Sequence, residues 1–374
     1  MLFAWLLDYG FKQLDDSDNC VFTLDCKDGE ILTLGVYVDN LQIVHSAALD
    51  ANGRGPSGCA YNAFFDKFTD KDNGGWDVTD EGPMEDLLGI EVDYKSDGSV
   101  KLHQSKYIRK IVERFMPNGP LPKAQRNSLP YSKNFLARVN ECLSQPTPLF
   151  PELVSEMQAR AGCLMYAATS TRPDIAYAVH QLCKCLHKPS PDLLLETEHI
   201  FSYLSRTADI GLTYSPGNGL LRAFADASWE TAHSTSGWAV LWQSAAISWG
   251  SRKQKCIALS SCEAEIIALS EAAKDVVYVR KLVRGLGAPD SGPTPLSTDS
   301  QSARDVSYNP EHHDRMKHVQ RRHFFVRDMV ESFELEVPFV RTSDNAADIL
   351  TKPMTDAKQF HRMRKILMND TSDD

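Results

Sequence analysis

The 374-residue chain has nine cysteines, and no two of them form a Cys-X-X-Cys pair. An odd count without paired spacing argues against a disulfide framework or a zinc ribbon and favours reduced thiols. Long hydrophobic runs are also lacking. No stretch approaches 18 apolar residues, and residues 1–10 (MLFAWLLDYG) show neither the basic start nor the extended apolar core of a secretory leader. A soluble chain of the cytoplasm or nucleus is expected. The third shortage is positive charge. With 40 Lys and Arg against 50 Asp and Glu the formal net charge is −10, so any nucleic-acid contact must be a local patch on an acidic body. The hydrophobic fraction of 42% is that of ordinary globular protein, and the length allows two or three domains with cores of their own.

Along the chain, residues 1 to about 115 alternate short strand-like runs with Gly/Asp turns. GVYVDN (35–40) followed by LQIV reads as a hairpin with a single carboxylate, Asp39, at its tip. DLLGIEVDY, KSDG and SVKLHQ form a second hairpin, with Asp97-Gly98 as its turn. SKYIRKIVERF is an amphipathic helix that Ser105 should cap, and the Pro- and Asn-rich stretch after it reads as a linker. Three helical segments follow up to about residue 210, punctuated by Arg172-Pro173-Asp174 and Pro189-Ser190-Pro191. Cys183 and Cys185, two apart on a helix, read as packing residues. Beyond SPGNG the order becomes strand, strand, strand, long helix, then alternating strands and helices: an α/β pattern opened by antiparallel strands, with residues 253–259 a candidate continuation of the sheet.

The long helix begins SSCEAEIIALSEAAKDVV and offers two glutamates. With Ser260 as N-cap, Glu263 completes a capping box and has a sufficient structural explanation. Glu265 heads the apolar line Leu269, Ala272, Val276, which should face the sheet. A carboxylate there is costly unless a cation or hydrogen bonds compensate it. Asp226 on a strand, Asp299 at a strand end and Asp348 opening a helix could share that cation, and four hard oxygen donors suit magnesium.

ADASWETAHSTSGWAVLWQ…CEAEIIALSEA, STDSQSARDVSYNPEHHDRMKHVQRRHFFVRD and VPFVRTSDNAADILTKPM closely resemble the ribonuclease H domain of copia-type LTR-retrotransposon Pol polyproteins. GVYVDN, LLGIEV, LHQSKYIRKIV and RPDIAYAV match, in order, that polyprotein's reverse-transcriptase palm and connection, so the resemblance covers about residues 1–355. It implies an α/β and α+β fold: a ribonuclease H-like mixed five-stranded sheet, order 3-2-1-4-5, with Pro338 marking an edge strand. Before that sheet it places a truncated palm (1–115) and a linker with a helical thumb or connection (116–215); the ribonuclease H domain would span 216–355 and a tail 356–374.

The same resemblance implies that Asp226, Glu265, Asp299 and Asp348 hold two magnesium or manganese ions and hydrolyse the RNA strand of an RNA/DNA hybrid, one ion activating water and the other stabilising the leaving 3′ oxygen. The loop RTSDNAAD lacks the histidine many cellular ribonucleases H carry there, which implies slower turnover. Arg315, Lys317, Arg321 and Arg322 are candidate contacts to hybrid phosphates. His312, His313, His318 and His323 among them fit no zinc spacing. Where the family's palm tip has two aspartates this chain has Asp39-Asn40, and the other palm aspartate and the fingers have no counterpart upstream. Asp39 is therefore expected to be a polymerase remnant, with strands around Val36 and Ile43 left uncovered. Other retroelement Pol chains are expected partners and retroelement particles a possible location. The competing expectation is a decayed or co-opted fragment that binds nucleic acid without catalysis.

Overall fold

A computed structural model of the chain describes residues 1–14, 17–50, 53–122, 128–147, 149–217, 219–229, 233–288, 292–308 and 320–370. It divides into two compact units, residues 1–85 with 277–290, and 86–276 with 291–374.

In the first unit, α1 (Leu2–Tyr9) precedes four strands, β1 (Lys12–Leu14), β2 (Asp18–Asp25), β3 (Ile31–Tyr37) and β4 (Asn40–His45), and α2 (Ala60–Thr69) follows them. The strands form an antiparallel meander in the order β1-β2-β3-β4. Because strand side chains alternate, Leu32, Leu34 and Val36 share one face, and they gather with Leu6 of α1 and with Phe64 and Phe68 of α2. The hairpin read from GVYVDN is present: Tyr37 pairs with Asn40 across a two-residue tip, Val38-Asp39. Val38 sits at φ 51°, a strained conformation for a β-branched residue, and Asp39 is exposed. One expectation needs correction. Val36 and Ile43 are not uncovered but pack against the helices' core; the open face presents Ile31, Tyr37 and Val44, which are 53%, 51% and 60% exposed.

The second unit opens with β5 (Asp86–Leu87), β6 (Ile90–Tyr94) and β7 (Val100–His103). Helices α3 (Ser105–Phe115), α4 (Phe135–Ser144), α5 (Val154–Ser170), α6 (Ala176–Cys183) and α7 (Pro191–Arg206) come next, and β8 (Leu212–Tyr214) returns to pair with β7. Gly98 at φ 82° makes the β6–β7 turn, and the Asp97 carboxylate accepts the Ser99 amide at 2.9 Å. Ser105 is not the cap of α3. Gln104 occupies that position without a side-chain bond; Ser105 Oγ lies 2.7 Å from His103 Nδ1 and donates to Ala208 O. The carboxylate of Glu91 on β6 takes the Lys106 amide at 2.8 Å instead. Helix α4 was not anticipated; it brings Phe135, Val139 and Cys142 into the core. Cys185 is buried and Cys183 half-buried, as packing residues should be.

A second sheet follows: β9 (Leu221–Ser228), β10 (Thr235–Trp242) and β11 (Ala245–Lys253), then α8 (Ser261–Gly285) and β12 (Thr294–Ser297). After α9 (Gln301–Tyr308) and α10 (Gln320–Glu331) come β13 (Leu335–Glu336), a 3-10 turn over Ala346–Leu350 and α11 (Ala357–Met368). The order is β11-β10-β9-β12-β13, third-second-first-fourth-fifth along the chain. The first three strands are antiparallel, and β12 runs parallel to β9 and β13. β13 lies at the edge, with Pro338 just beyond it, where its carbonyl accepts the Thr298 amide at 3.2 Å. The sheet gains nothing from residues 254–259, since β11 stops at Lys253. Asp348 lies in the 3-10 turn rather than at the start of a helix, and the expected tail contains α11, whose Phe360, Met363 and Leu367 are buried.

These units do not follow the boundaries expected at 115/116 and 215/216. A single hydrophobic core runs through Ile108, Phe135, Leu164, Phe201, Leu241, Leu350 and Phe360, so the helical stretch and the mixed sheet close over one another's apolar side chains.

Candidate metal centre

Strand alternation puts Asp226 on the same face of β9 as Phe224, and only 2% of its surface is exposed. The parallel pairing of β12 with β9 matches Leu296 to Ala223 and Ser297 to Phe224; two more steps of that register set Asp299 level with Asp226. On α8 the stripe below Glu265 is as expected, with Leu269, Ala272 and Val276 fully buried. Asp226, Glu265 and Asp299 each offer a carboxylate oxygen, and these oxygens lie within 4.8 Å of one another. Glu263 points elsewhere: its carboxylate accepts the Leu259 amide at 2.8 Å while Ser260 Oγ accepts the Glu263 amide at 3.1 Å. That is a reciprocal cap reaching one residue further back than the usual box.

Asp348 stands beside this group rather than within it. Its Oδ1 is 3.0 Å from Lys352 Nζ, and the same ammonium is 3.7 Å from Asp226 Oδ2. Asp226 Oδ2 also accepts the Thr351 hydroxyl. Gly237 makes this approach possible. It pairs with Asp226 across the β9–β10 ladder, and a Cβ there would meet Thr351 Cγ2 at 2.5 Å and Leu350 Cβ at 2.8 Å. Asp299 is held by Thr342 Oγ1 at 2.7 Å and by Asn345 Nδ2 at 3.3 Å; fully buried Asn345 donates also to Ala225 O at 3.0 Å.

The electrostatics are those of crowded anions. Burial, reinforced by Asp226 and Asp299, pushes the Glu265 carboxyl up to about 9. Burial and then Asp226 push Asp348 up to about 7, and burial raises Asp226 as well, with Lys352 and Thr351 pulling against it. For Lys352 burial works against the charge, but Asp226 and Asp348 outweigh it and hold its ammonium above the usual range. Glu265 Oε2 is shielded from solvent and has no hydrogen-bond partner. Close carboxylates, one with an orphaned oxygen, are a hard donor set that a divalent cation fits.

Asn345, Thr351 and Lys352 were not singled out from the sequence. Lys352 carried one signal, its four-residue spacing from Asp348. Arg315 and Lys317, with His312, His313 and His318, lie outside the described residues; Arg321, Arg322 and His323 fall on α10, but their side chains lie outside them too. Asp39 joins no group of three or more such ligands among the described residues.

No family model matches the sequence. The chain is 30% identical over 344 residues to the retrovirus-related Pol polyprotein from transposon TNT 1-94 of Nicotiana tabacum, covering 90% of this chain. It is 34% identical over 288 residues, 72% of its length, to the corresponding polyprotein from transposon RE2 of Arabidopsis thaliana. The chain belongs to the copia-type retrotransposon Pol family. It spans 24% of the first of these Pol relatives and 19% of the second. Among solved structures, the N-terminal RNase H domain of a Mycobacterium tuberculosis protein, fused to maltose-binding protein, is 13% identical with a TM-score of 0.28, over 39% of this chain and 96% of that one. Among the described residues of this Pol relative, no helix is long and apolar enough to cross a membrane.

Proposed function

We propose that this Pol-family chain is a ribonuclease of RNA/DNA hybrids that works by metal-assisted hydrolysis, and that its hairpin at Asp39 supports no polymerase. The observation that carries the reading is the set of three carboxylate oxygens within 4.8 Å, contributed by Asp226, Glu265 and Asp299. With Asp348 they would hold two magnesium or manganese ions, and Asp226, close to Glu265 and Asp299 and sharing the Lys352 ammonium with Asp348, would help to hold both. Bound there, the ions would supply an activated water and a Lewis acid at the leaving 3′ oxygen. Asn345 and Thr342 fix the Asp299 carboxylate, so that it need not reorganise on binding. The basic side chains of Arg315, Lys317, Arg321 and Arg322 would take the hybrid's phosphates, giving binding that weakens with salt. Asp39, exposed at its tip, joins no group of three or more such ligands among the described residues.

The test is a labelled RNA/DNA hybrid incubated with the protein and magnesium or manganese, with primer extension in parallel. RNA-strand cleavage without extension is the expected result, and extension would refute the polymerase part. A second reading, a fragment that binds nucleic acid without catalysis, is favoured by the Lys352 ammonium standing between Asp226 and Asp348. Hybrid binding with no cleavage under either metal would select it. Association with other retroelement Pol chains, in particles or free in cytoplasm or nucleus, belongs to the same proposal.

A further inference from the structure

The carboxylates of the candidate centre are not equivalent, because one pair already has a cation. Lys352 Nζ reaches Asp348 Oδ1 at 3.0 Å and Asp226 Oδ2 at 3.7 Å, while Glu265 Oε2, in the same group as Asp226, is shielded from solvent and has no hydrogen-bond partner. Asp226 Oδ2 is engaged twice, by the ammonium and by the Thr351 hydroxyl. A divalent ion coordinated by Asp226 and Asp348 would stand within a few ångströms of that ammonium, where like charges repel strongly in a shielded setting.

We propose that Lys352 is an internal cation competing with one of the two metal ions, so that the subsite between Asp226 and Asp348 fills only by ammonium-for-metal exchange and is the weaker of the two. The subsite of Asp226, Glu265 and Asp299 binds first, since the ammonium stands nearer to Asp348 than to Asp226. The lysine has a way out. Its side chain is 40% exposed, against 1% for Asp348 and 3% for Asp226, so the head can turn to solvent while the acids stay in place. In the absence of metal the ammonium would steady Asp226 and Asp348, and it would yield to the second ion. This inference rests on reading the acids as a metal centre.

The experiment is calorimetric titration of the full chain with manganese, without nucleic acid, together with thermal melting in EDTA and in manganese. Wild type should bind one tighter and one weaker ion. In Lys352→Met the weaker ion should tighten by about tenfold or more, with the tighter one changed by no more than about threefold, because the repulsion removed is local. Lys352→Arg should behave like wild type. The melting temperature of Lys352→Met should fall in EDTA and rise further than wild type's on adding manganese; Lys352→Gln repeats both measurements if the methionine variant folds poorly. A second ion that binds Lys352→Met no tighter than wild type overturns the competition alone. Absence of manganese binding in wild type and variants alike overturns the metal centre, and the inference with it.

Discussion

Asp174 and Asp226 are each 2% exposed and belong to the same unit, but their surroundings treat the buried charge in opposite ways. Asp174 meets the Arg172 guanidinium at two points, 2.9 Å to Nε and 2.7 Å to Nη2, and accepts the Tyr203 hydroxyl at 2.7 Å. Burial pushes its carboxyl up, but the guanidinium outweighs that and holds it below the usual range. Arg172 in turn donates to Thr207 O and Oγ1 at 2.8 Å, and Arg364 donates to Tyr203. Asp226 meets two further carboxylates, and its net shift is upward. Burial alone therefore does not mark a functional acid. The distinction is whether the protein supplies the whole of the compensating charge, as at Asp174, or leaves part of it to come from outside.

The largest expected effect tests that distinction directly. Asp226→Asn keeps the shape but removes the central anion, so cleavage of a labelled hybrid should fall to background while urea stability changes little; Asp39→Asn should leave cleavage unchanged. Cleavage surviving Asp226→Asn would falsify the assignment of the centre. Next in size, Asp174→Ala strands a buried guanidinium and should cost about 3–5 kcal/mol in urea denaturation. A loss below about 1 kcal/mol would mean that the pair contributes no more than one at the surface.

The two glutamates of α8 sharpen the comparison further. Glu263→Ala removes a cap and should cost about 1 kcal/mol with cleavage retained. Glu265→Gln removes the cost of burying a carboxyl that burial and its neighbours push up to about 9, so its melting temperature in EDTA should rise although cleavage is lost; a fall in EDTA would show that the carboxyl is compensated after all. The smallest effect concerns a buried base. His180, with Nε2 lacking a partner, is lowered to about 4, first by burial and then by Lys184, Arg252 and Lys253. Its unfolded value is about 6.5. Above that pH both states are neutral and the residue has no effect; as pH falls from 6.5 towards 4 the unfolded chain takes up a proton the folded one resists, at a cost of about 2 kcal/mol. Urea midpoints at pH 7.5 and 4.5 should separate wild type from His180→Gln, which should lack this part of the acid loss.

What the sequence made legible was local. The choice of Glu265 over Glu263 followed from helical periodicity and a cap, both of which act within one turn, and the turn at Asp97-Gly98 followed from residues adjacent in the chain. What stayed hidden depends on residues far apart. Arg172-Pro173-Asp174 looked like a helix start, but its charge network is completed by Tyr203, Thr207 and Arg364. Asn345 reaches Asp299 and Ala225 only because β9 and β12 are neighbours. Helix α11 lies within the expected tail at 356–374, and its apolar residues gain meaning only once a core is there to receive them. The position expected for a boundary at 115/116 is spanned for the same reason, since β8 returns to β7 across more than a hundred residues.

That common interior bears on modularity. Tyr131 hydrogen-bonds the backbone at Met354, Trp249 donates to Ala168 O, and Arg364 reaches Tyr203, so cutting the chain at 215/216 would sever each of these links and bare Phe201, Leu241 and Phe360. Lifted out at that point, the mixed sheet would leave behind apolar partners that α3 to α7 supply. Substitutions of the residues of α3 to α7 that pack in this shared core would therefore be felt at the sheet as well as in the helices.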